Sequence, residues 1–236
     1  MIPKKIHYCW FGRGEKTKLA HKCINSWKKM CPDYEIIEWN EDNFDLNYNE
    51  YTQYCYENKK WAFLSDLVRL IVVEKYGGIY FDTDVEVISS FDKLLGYDAF
   101  FAFENSQNIA SGLGFGSVAR HSIVKEMIKL YDDFHYDSNG RMEMIGCPIL
   151  NTKVLLSFGF KINGERQEID RVVTLPVEYM NPYDDPTGLM NKTANTLSIH
   201  WYAKSALSRK AILRSNITRV FHRLFGKDCF EWIKRK

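Results

Sequence analysis

Lys60-Trp61-Ala62-Phe63-Leu64-Ser65-Asp66-Leu67-Val68-Arg69-Leu70-Ile71-Val72-Val73-Glu74-Lys75-Tyr76, followed at once by Gly77-Gly78-Ile79-Tyr80-Phe81-Asp82-Thr83-Asp84, is the stretch that decides how the chain folds. Strong helix formers and apolar residues from Lys60 to Tyr76 predict a helix, closed by Gly77-Gly78, where glycine supplies a left-handed cap. The next residues predict a strand at Ile79 with Asp82-Thr83-Asp84 at its end. Successive side chains of an extended strand point to opposite faces, so the carboxylates of Asp82 and Asp84 project to the same side. Two hard oxygen donors on one spot suit Mg²⁺ or Mn²⁺, which take carboxylate and water oxygens and leave positions open for a substrate's phosphates. A solvated turn, where Asp is common, is the competing reading of the spacing alone.

Within the predicted helix, Ala62, Asp66 and Arg69 fall at i, i+4 and i+7 and share one face. Leu64, Leu67, Val68, Leu70, Ile71, Val72 and Val73 fill most of the remainder, so the helix packs on several sides and its acid and guanidinium need partners. Those partners are either each other, as an intrahelical ion pair, or a ligand. In the second case Asp66 accepts hydrogen bonds from sugar hydroxyls and Arg69 faces negative charge.

Working outward, a strand at Lys5–Trp10, a helix at Thr17–Met30 and a strand at Tyr34–Trp39 precede an Asn/Asp/Tyr-rich stretch and the Lys60 helix. This alternation predicts an α/β fold with a mostly parallel central sheet flanked by helices. Ligands of such sheets bind outside the carboxyl ends of the strands, where both Trp10 and Asp84 stand. A nucleotide can bridge them, base on Trp10 and diphosphate on the metal; core packing is the rival role for Trp10. Further on, Ala99–Phe103 reads as a buried strand and Ser111–Gly116 as a turn and acceptor-side loop. Ser122–Phe134 reads as an amphipathic helix, Gly146-Cys147-Pro148 as a turn, and Pro176–Met190 as an acceptor loop or plain coil.

Ala62-Phe-Leu-Ser-Asp66-Leu-Val-Arg69, with Tyr76-Gly-Gly-Ile-Tyr-Phe-Asp82-Thr-Asp84, resembles the signature of the DXD-type sugar transferases of glycosyltransferase family 32. That family includes capsular-polysaccharide enzymes and yeast mannosyltransferases. Ile2 to Gly12 resembles its first strand, and Ile199-His200-Trp201-Tyr202-Ala203-Lys204-Ser205 its closing motif. The chain departs from the pattern after Ser205, where Ala206-Leu207 stand and the family often carries Trp. The resemblance implies a GT-A-like single domain over residues 1–203. It implies transfer of a hexose from a nucleotide-diphosphate sugar to a saccharide or glycolipid hydroxyl, with retention of configuration, in polysaccharide or glycolipid biosynthesis. Asp82, Asp84 and His200 would hold Mn²⁺ or Mg²⁺; on residue type alone a lone His such as His200 is more often a structural histidine than a ligand. His7, Trp10, Ala62, Asp66, Arg69, Tyr80, Thr83, Asn105, Lys204 and Ser205 would complete the donor site, with Arg69 joining the two aspartates in the chemistry. A metal-dependent phosphohydrolase or a non-catalytic carbohydrate-binding protein are the alternatives, the first disfavoured by the lack of further His and Asp clusters.

With 236 residues, 45% of them hydrophobic, the chain has material for one α/β core. Its six cysteines show no C-x-x-C spacing and read as reduced thiols of a cytosolic protein. No apolar run exceeds Ala99–Phe103, far short of the roughly 18 residues of a membrane span, and no secretory pattern opens the sequence. The expected location is therefore cytoplasmic. The formal charge of +2 hides an imbalance: residues 204–236 hold ten Lys or Arg against two acids, which leaves residues 1–203 at −6. Leu213, Ile217, Val220, Phe221 and Leu224 recur at helical spacing there, and Asp228 with Glu231 suggests a second short helix. This basic amphipathic extension reads either as an anchor on the anionic inner face of the plasma membrane or as a helix packed on protein. Nucleic acid is excluded as a partner, because the acidic remainder repels phosphate and no binding motif accompanies the tail.

Overall fold

The protein is described from a computed structural model, which covers residues 1–132, 134, 136–138, 141–204, 209–226 and 229–230. Its elements in chain order are β1 (Lys5–Cys9), α1 (Lys18–Met30), β2 (Glu35–Trp39), α2 (Glu50–Glu57), α3 (Trp61–Tyr76), β3 (Gly78–Tyr80) and β4 (Val85–Val87). There follow β5 (Ala99–Asn105), β6 (Asn108–Ile109), β7 (Phe115–Ser117), α4 (Ser122–Lys129), α5 (Cys147–Ser157), β8 (Gln167–Ile169) and β9 (Val172–Leu175). The last are α6 (Val177–Met180), β10 (Tyr183–Asp184), β11 (Leu189–Met190), β12 (Ser198–His200) and α7 (Arg209–Phe225).

The main sheet runs β2-β1-β3-β7-β5-β9-β8, with β6 on β5. Parallel pairings join β1 to β2 and β3, and β5 to β9. β7 is antiparallel to both its neighbours and β8 to β9. Five strands of the path therefore point one way, in agreement with the expected mostly parallel α/β sheet. Side-chain alternation divides the core: Tyr80, Phe101 and Phe115 join the apolar face of α3 on one side, while Ile79, Phe81 and Phe100 join Ile24 and Trp27 of α1 on the other.

α1 starts where its sequence says it should, Thr17 Oγ1 accepting from the Ala20 N–H at 3.1 Å. α2 lies inside the stretch read only as Asn/Asp/Tyr-rich. Asn49 and Thr52 bond each other's backbone reciprocally, a capping box with Thr in place of the usual Glu or Gln, which is why the start signal is easy to overlook. The helix expected over Ser122–Phe134 stops at Lys129. Gly77 is not a left-handed helical cap: its φ is +63° but its ψ is 178°, and an added Cβ would lie 3.0 Å from the Ala119 nitrogen and the Pro3 ring. The glycine serves an abrupt helix-to-strand corner under close packing.

His7, expected at the donor, is wholly buried in β1. Trp39 Nε1 donates to its Nδ1 at 3.1 Å, so Nε2 carries the proton and donates to the Gly77 carbonyl at 2.8 Å. Burial holds its pKa below the ordinary 6.5. The unfolded chain then binds a proton that the fold refuses, so this residue's contribution to stability is full above pH 6.5 and erodes as the pH falls below it. Denaturant titrations from pH 7 down to about pH 5 are expected to show a shallower loss of stability for His7→Gln than for the natural protein.

Candidate functional site

β3 delivers the chain to the sheet's carboxyl edge, but Asp82 and Asp84 do not sit on extended strand. They occupy a tight turn in which the Val85 N–H bonds the Asp82 carbonyl at 3.0 Å. The carboxylates nevertheless converge, because β4 leaves the turn paired antiparallel to β12, register His200 to Val85. This brings the imidazole to the acids: Asp82, Asp84 and His200 each offer a ligand atom, all within 4.8 Å of one another.

Each member is held. Asp84 Oδ2 accepts from the Ala203 N–H at 2.7 Å, and its Oδ1 lies 3.2 Å from His200 Nε2. Asp82 Oδ1 accepts from Arg69 Nη2 and from the Tyr80 hydroxyl, both at 2.9 Å. Arg69, 2% exposed, spans the two carboxylates behind the turn, its Nη1 lying 2.9 Å from Asp66 Oδ1. Both readings of the helix pair are thus partly realised: the ion pair within α3 exists, and the same guanidinium braces Asp82.

Burial raises the Asp82 pKa, with Arg69 opposing it. Burial also acts against ionised Asp84, yet His200 and the Ala203 N–H together hold that carboxyl below its usual range. Asp66 is pushed up to about 6 by burial, against the pull of Arg69 and of the Cys147 thiol and N–H. Cys147 opens α5, and the Gly146 before it has no side chain with which to cap, so Asp66 serves that helix N-terminus from another element. His200 Nδ1 is buried without a partner. Two carboxylates and an imidazole with a spare buried nitrogen are a donor set that fits Mn²⁺ or Mg²⁺.

Residues 17–101 match the family described as the glycosyltransferase sugar-binding region containing DXD motif. The chain carries that region. Among curated proteins it is 25% identical over 147 residues to inositol phosphoceramide mannosyltransferase 3 of Schizosaccharomyces pombe, covering 58% of this chain and 39% of that protein. It is 28% identical over 145 residues to mannosyl phosphorylinositol ceramide synthase SUR1 of Saccharomyces cerevisiae, covering 58% and 36%. The chain therefore spans well under half the length of either yeast protein. Among solved structures the PaToxG glycosyltransferase is similar at a TM-score of 0.50 and 17% identity, over 66% of this chain and 70% of that one. That likeness concerns the fold, and it agrees with a GT-A-like α/β architecture.

Beside the aspartates a cleft of about 400 Å³ is lined by Trp10, Ala62, Asp66, Tyr80 and Thr83, together with Arg69, Asp82 and Asp84. Trp10 donates Nε1–H to the Gly14 carbonyl at 2.7 Å, which fixes the indole at the cleft wall. His7 lies outside it. Asn105 lines a second, larger cleft of about 1040 Å³ with Glu104, Asn181 and Tyr202. Lys204 is engaged elsewhere, 2.7 Å from Asp185 and bonded to Ser215, so it does not face the aspartates as a free cation. Ser205, with the short helix expected around Asp228 and Glu231, lies outside the described residues.

Two further residues belong to the site. Glu104 ends the apolar run Ala99–Phe103 and carries a carboxyl whose pKa burial raises, against an opposing pull from His200. Gly112, in the stretch read as a turn and acceptor-side loop, is buried in a single helical turn, and a Cβ there would stand 2.6 Å from Asp82 Oδ2 and 3.2 Å from Arg69 Nη1. The glycines of Ser111–Gly116 were visible in sequence, but only the fold shows that one makes room for a carboxylate. Gly112→Ala is expected to displace Asp82 and lower both Mn²⁺ affinity, read by titration calorimetry, and turnover by about a hundredfold. Gly96→Ala, with open space around its Cβ, is expected to change neither.

Proposed function

We propose that the chain is a metal-dependent transferase that moves a hexose from a nucleotide-diphosphate sugar to a hydroxyl of a saccharide or glycolipid acceptor, with retention of configuration. It would serve polysaccharide or glycolipid synthesis in the cytoplasm or at the inner face of the plasma membrane. The observation that carries this reading is the Asp82–Asp84–His200 trio at the mouth of a cleft with an indole on its wall. Names of the yeast relatives make mannose the first sugar to try and an inositol phosphoceramide the model for a lipid acceptor.

Asp82, Asp84 and His200 would hold Mn²⁺ or Mg²⁺, which when bound supplies Lewis-acid stabilisation to the departing diphosphate. Trp10 offers its ring to the nucleotide base, and Asp66 offers a carboxylate to the sugar's hydroxyls. Arg69 favours the ionised form of Asp82 and aims it, so its part is positioning as much as charge. The acceptor enters the larger cleft, where Glu104 can accept a hydrogen bond from the attacking hydroxyl. A raised pKa suits a carboxyl that handles a proton near neutral pH.

Incubation with a panel of nucleotide sugars and Mn²⁺ is expected to release nucleoside diphosphate for one donor and to add its sugar to an acceptor. Hydrolysis of simple phosphate esters without sugar transfer would point to a phosphohydrolase. Tight sugar binding with no turnover would point to a carbohydrate-binding protein.

A further inference from the structure

α7 is mounted inside out. Ala211, Ile212, Ser215, Thr218, Arg219 and His222 form its half-buried side, whereas Leu213, Ile217, Val220 and Leu224, at i, i+4, i+7 and i+11, line the opposite side in solvent. Leu213 and Leu224 are 62% and 69% exposed, and Phe221 and Phe225 extend the same apolar surface. An amphipathic helix of a globular domain turns its apolar stripe inward. Here the larger apolar side chains face out and polar contacts help hold the helix to the domain: Arg219 donates to the Asp185 carbonyl at 3.0 Å and to its carboxylate at 2.8 Å, and Lys204 joins Ser215 to the same carboxylate. Among the described residues no helix is long and apolar enough to cross a bilayer.

The charges around the stripe choose its occupant. Lys210 and Arg214 flank it on one side and Arg223 on the other, all exposed, and none has an acidic partner among the described residues. A stripe of large aliphatic and aromatic side chains bordered by cations matches the boundary between acyl chains and anionic headgroups. We infer that α7 docks this protein on an anionic membrane surface through Leu213, Ile217, Val220 and Leu224, with Lys210, Arg214 and Arg223 on the headgroups. Asp185, which anchors Arg219 and Lys204, also lines the larger cleft. The docked helix thus brings that cleft to the headgroup layer, so its acceptor is a hydroxyl carried on a lipid; this last step rests on the transferase reading.

The test is co-sedimentation of the full chain with vesicles of phosphatidylcholine alone or mixed with phosphatidylglycerol. The natural protein is expected to pellet with the mixed vesicles and to be released by salt. Arg214→Ala with Arg223→Ala is expected to weaken partitioning about fivefold per cation lost. Leu213→Glu with Leu224→Glu is expected to weaken it by at least about tenfold; both side chains leave the domain untouched, so thermal stability should hold. Recovery of the natural protein in the supernatant with anionic vesicles overturns the inference, as does unchanged pelleting of the double glutamate variant. A dimer in sedimentation equilibrium that the glutamates dissociate also overturns it, since a second copy then covers the stripe. Vesicle binding reads no turnover, so its outcome stands apart from the transferase reading. Vesicle binding by a protein that transfers no sugar would leave the docking helix standing and remove only the acceptor assignment.

Discussion

Asp84→Asn is expected to lower donor-dependent release of nucleoside diphosphate by about a thousandfold, equivalent to about 4 kcal/mol, because a neutral amide is a poor ligand for a hard cation. The measurement is steady-state release across an Mn²⁺ titration, where added metal should recover little of the loss. Asparagine is a better probe than alanine. The Asp84 carboxylate accepts the Ala203 N–H at 2.7 Å in a half-buried setting, and Asn can keep that bond. The sequence invites the expectation that Asp84→Ala would spare the fold, yet alanine leaves both that N–H and His200 without a partner, at a cost of about 1–3 kcal/mol. Full activity in the asparagine variant would remove this carboxylate from the chemistry.

Arg69→Met is expected to be the most destabilising single change at the site. The guanidinium is buried between Asp66 and Asp82, with Nη–Oδ distances of 2.9 Å to each. Its removal leaves the buried Asp66 and the half-buried Asp82 without their cation, for which about 3–5 kcal/mol is the usual penalty. In a chain of this size that lowers the thermal midpoint by about 10 °C, readable by calorimetry or circular dichroism. Arg69→Lys should fall between, since a single ammonium cannot present two prongs to carboxylates on different elements. A midpoint within a degree or two of the natural protein for Arg69→Met would mean that these acids are not charged together in the fold.

Much of the scaffold was readable because long, strongly patterned segments leave little choice. Trp61–Tyr76 folds as read, and so do β1, α1 and β2 to within a residue. What escaped the sequence depends on partners far along the chain. The antiparallel β7 between β3 and β5 is three residues, Phe115-Gly116-Ser117, inside a glycine-rich run whose local signal is that of a turn. The two aspartates converge as their spacing predicts, but a turn clamped by β12 aims them rather than strand alternation. His7 carries the right residue type for a ligand and the wrong address, and only the bonds to Trp39 and Gly77 reveal it. Glu104 could have been suspected, as the first acid after a fully apolar strand end, but not that its carboxyl lies near His200.

The pairing of β4 with β12 orders events during synthesis. Ala203 and Asp84 stand 119 positions apart, so the aspartates leave the ribosome long before the residues that clamp them. Main-sheet strands through Leu175 can pair while the chain is still growing, whereas Asp82, Asp84 and His200 come together only when β12 arrives. A truncated or stalled product would then possess most of the scaffold while Asp84 still lacked the Ala203 N–H and His200 that hold its carboxylate, so the last strand to form is the one that finishes the site.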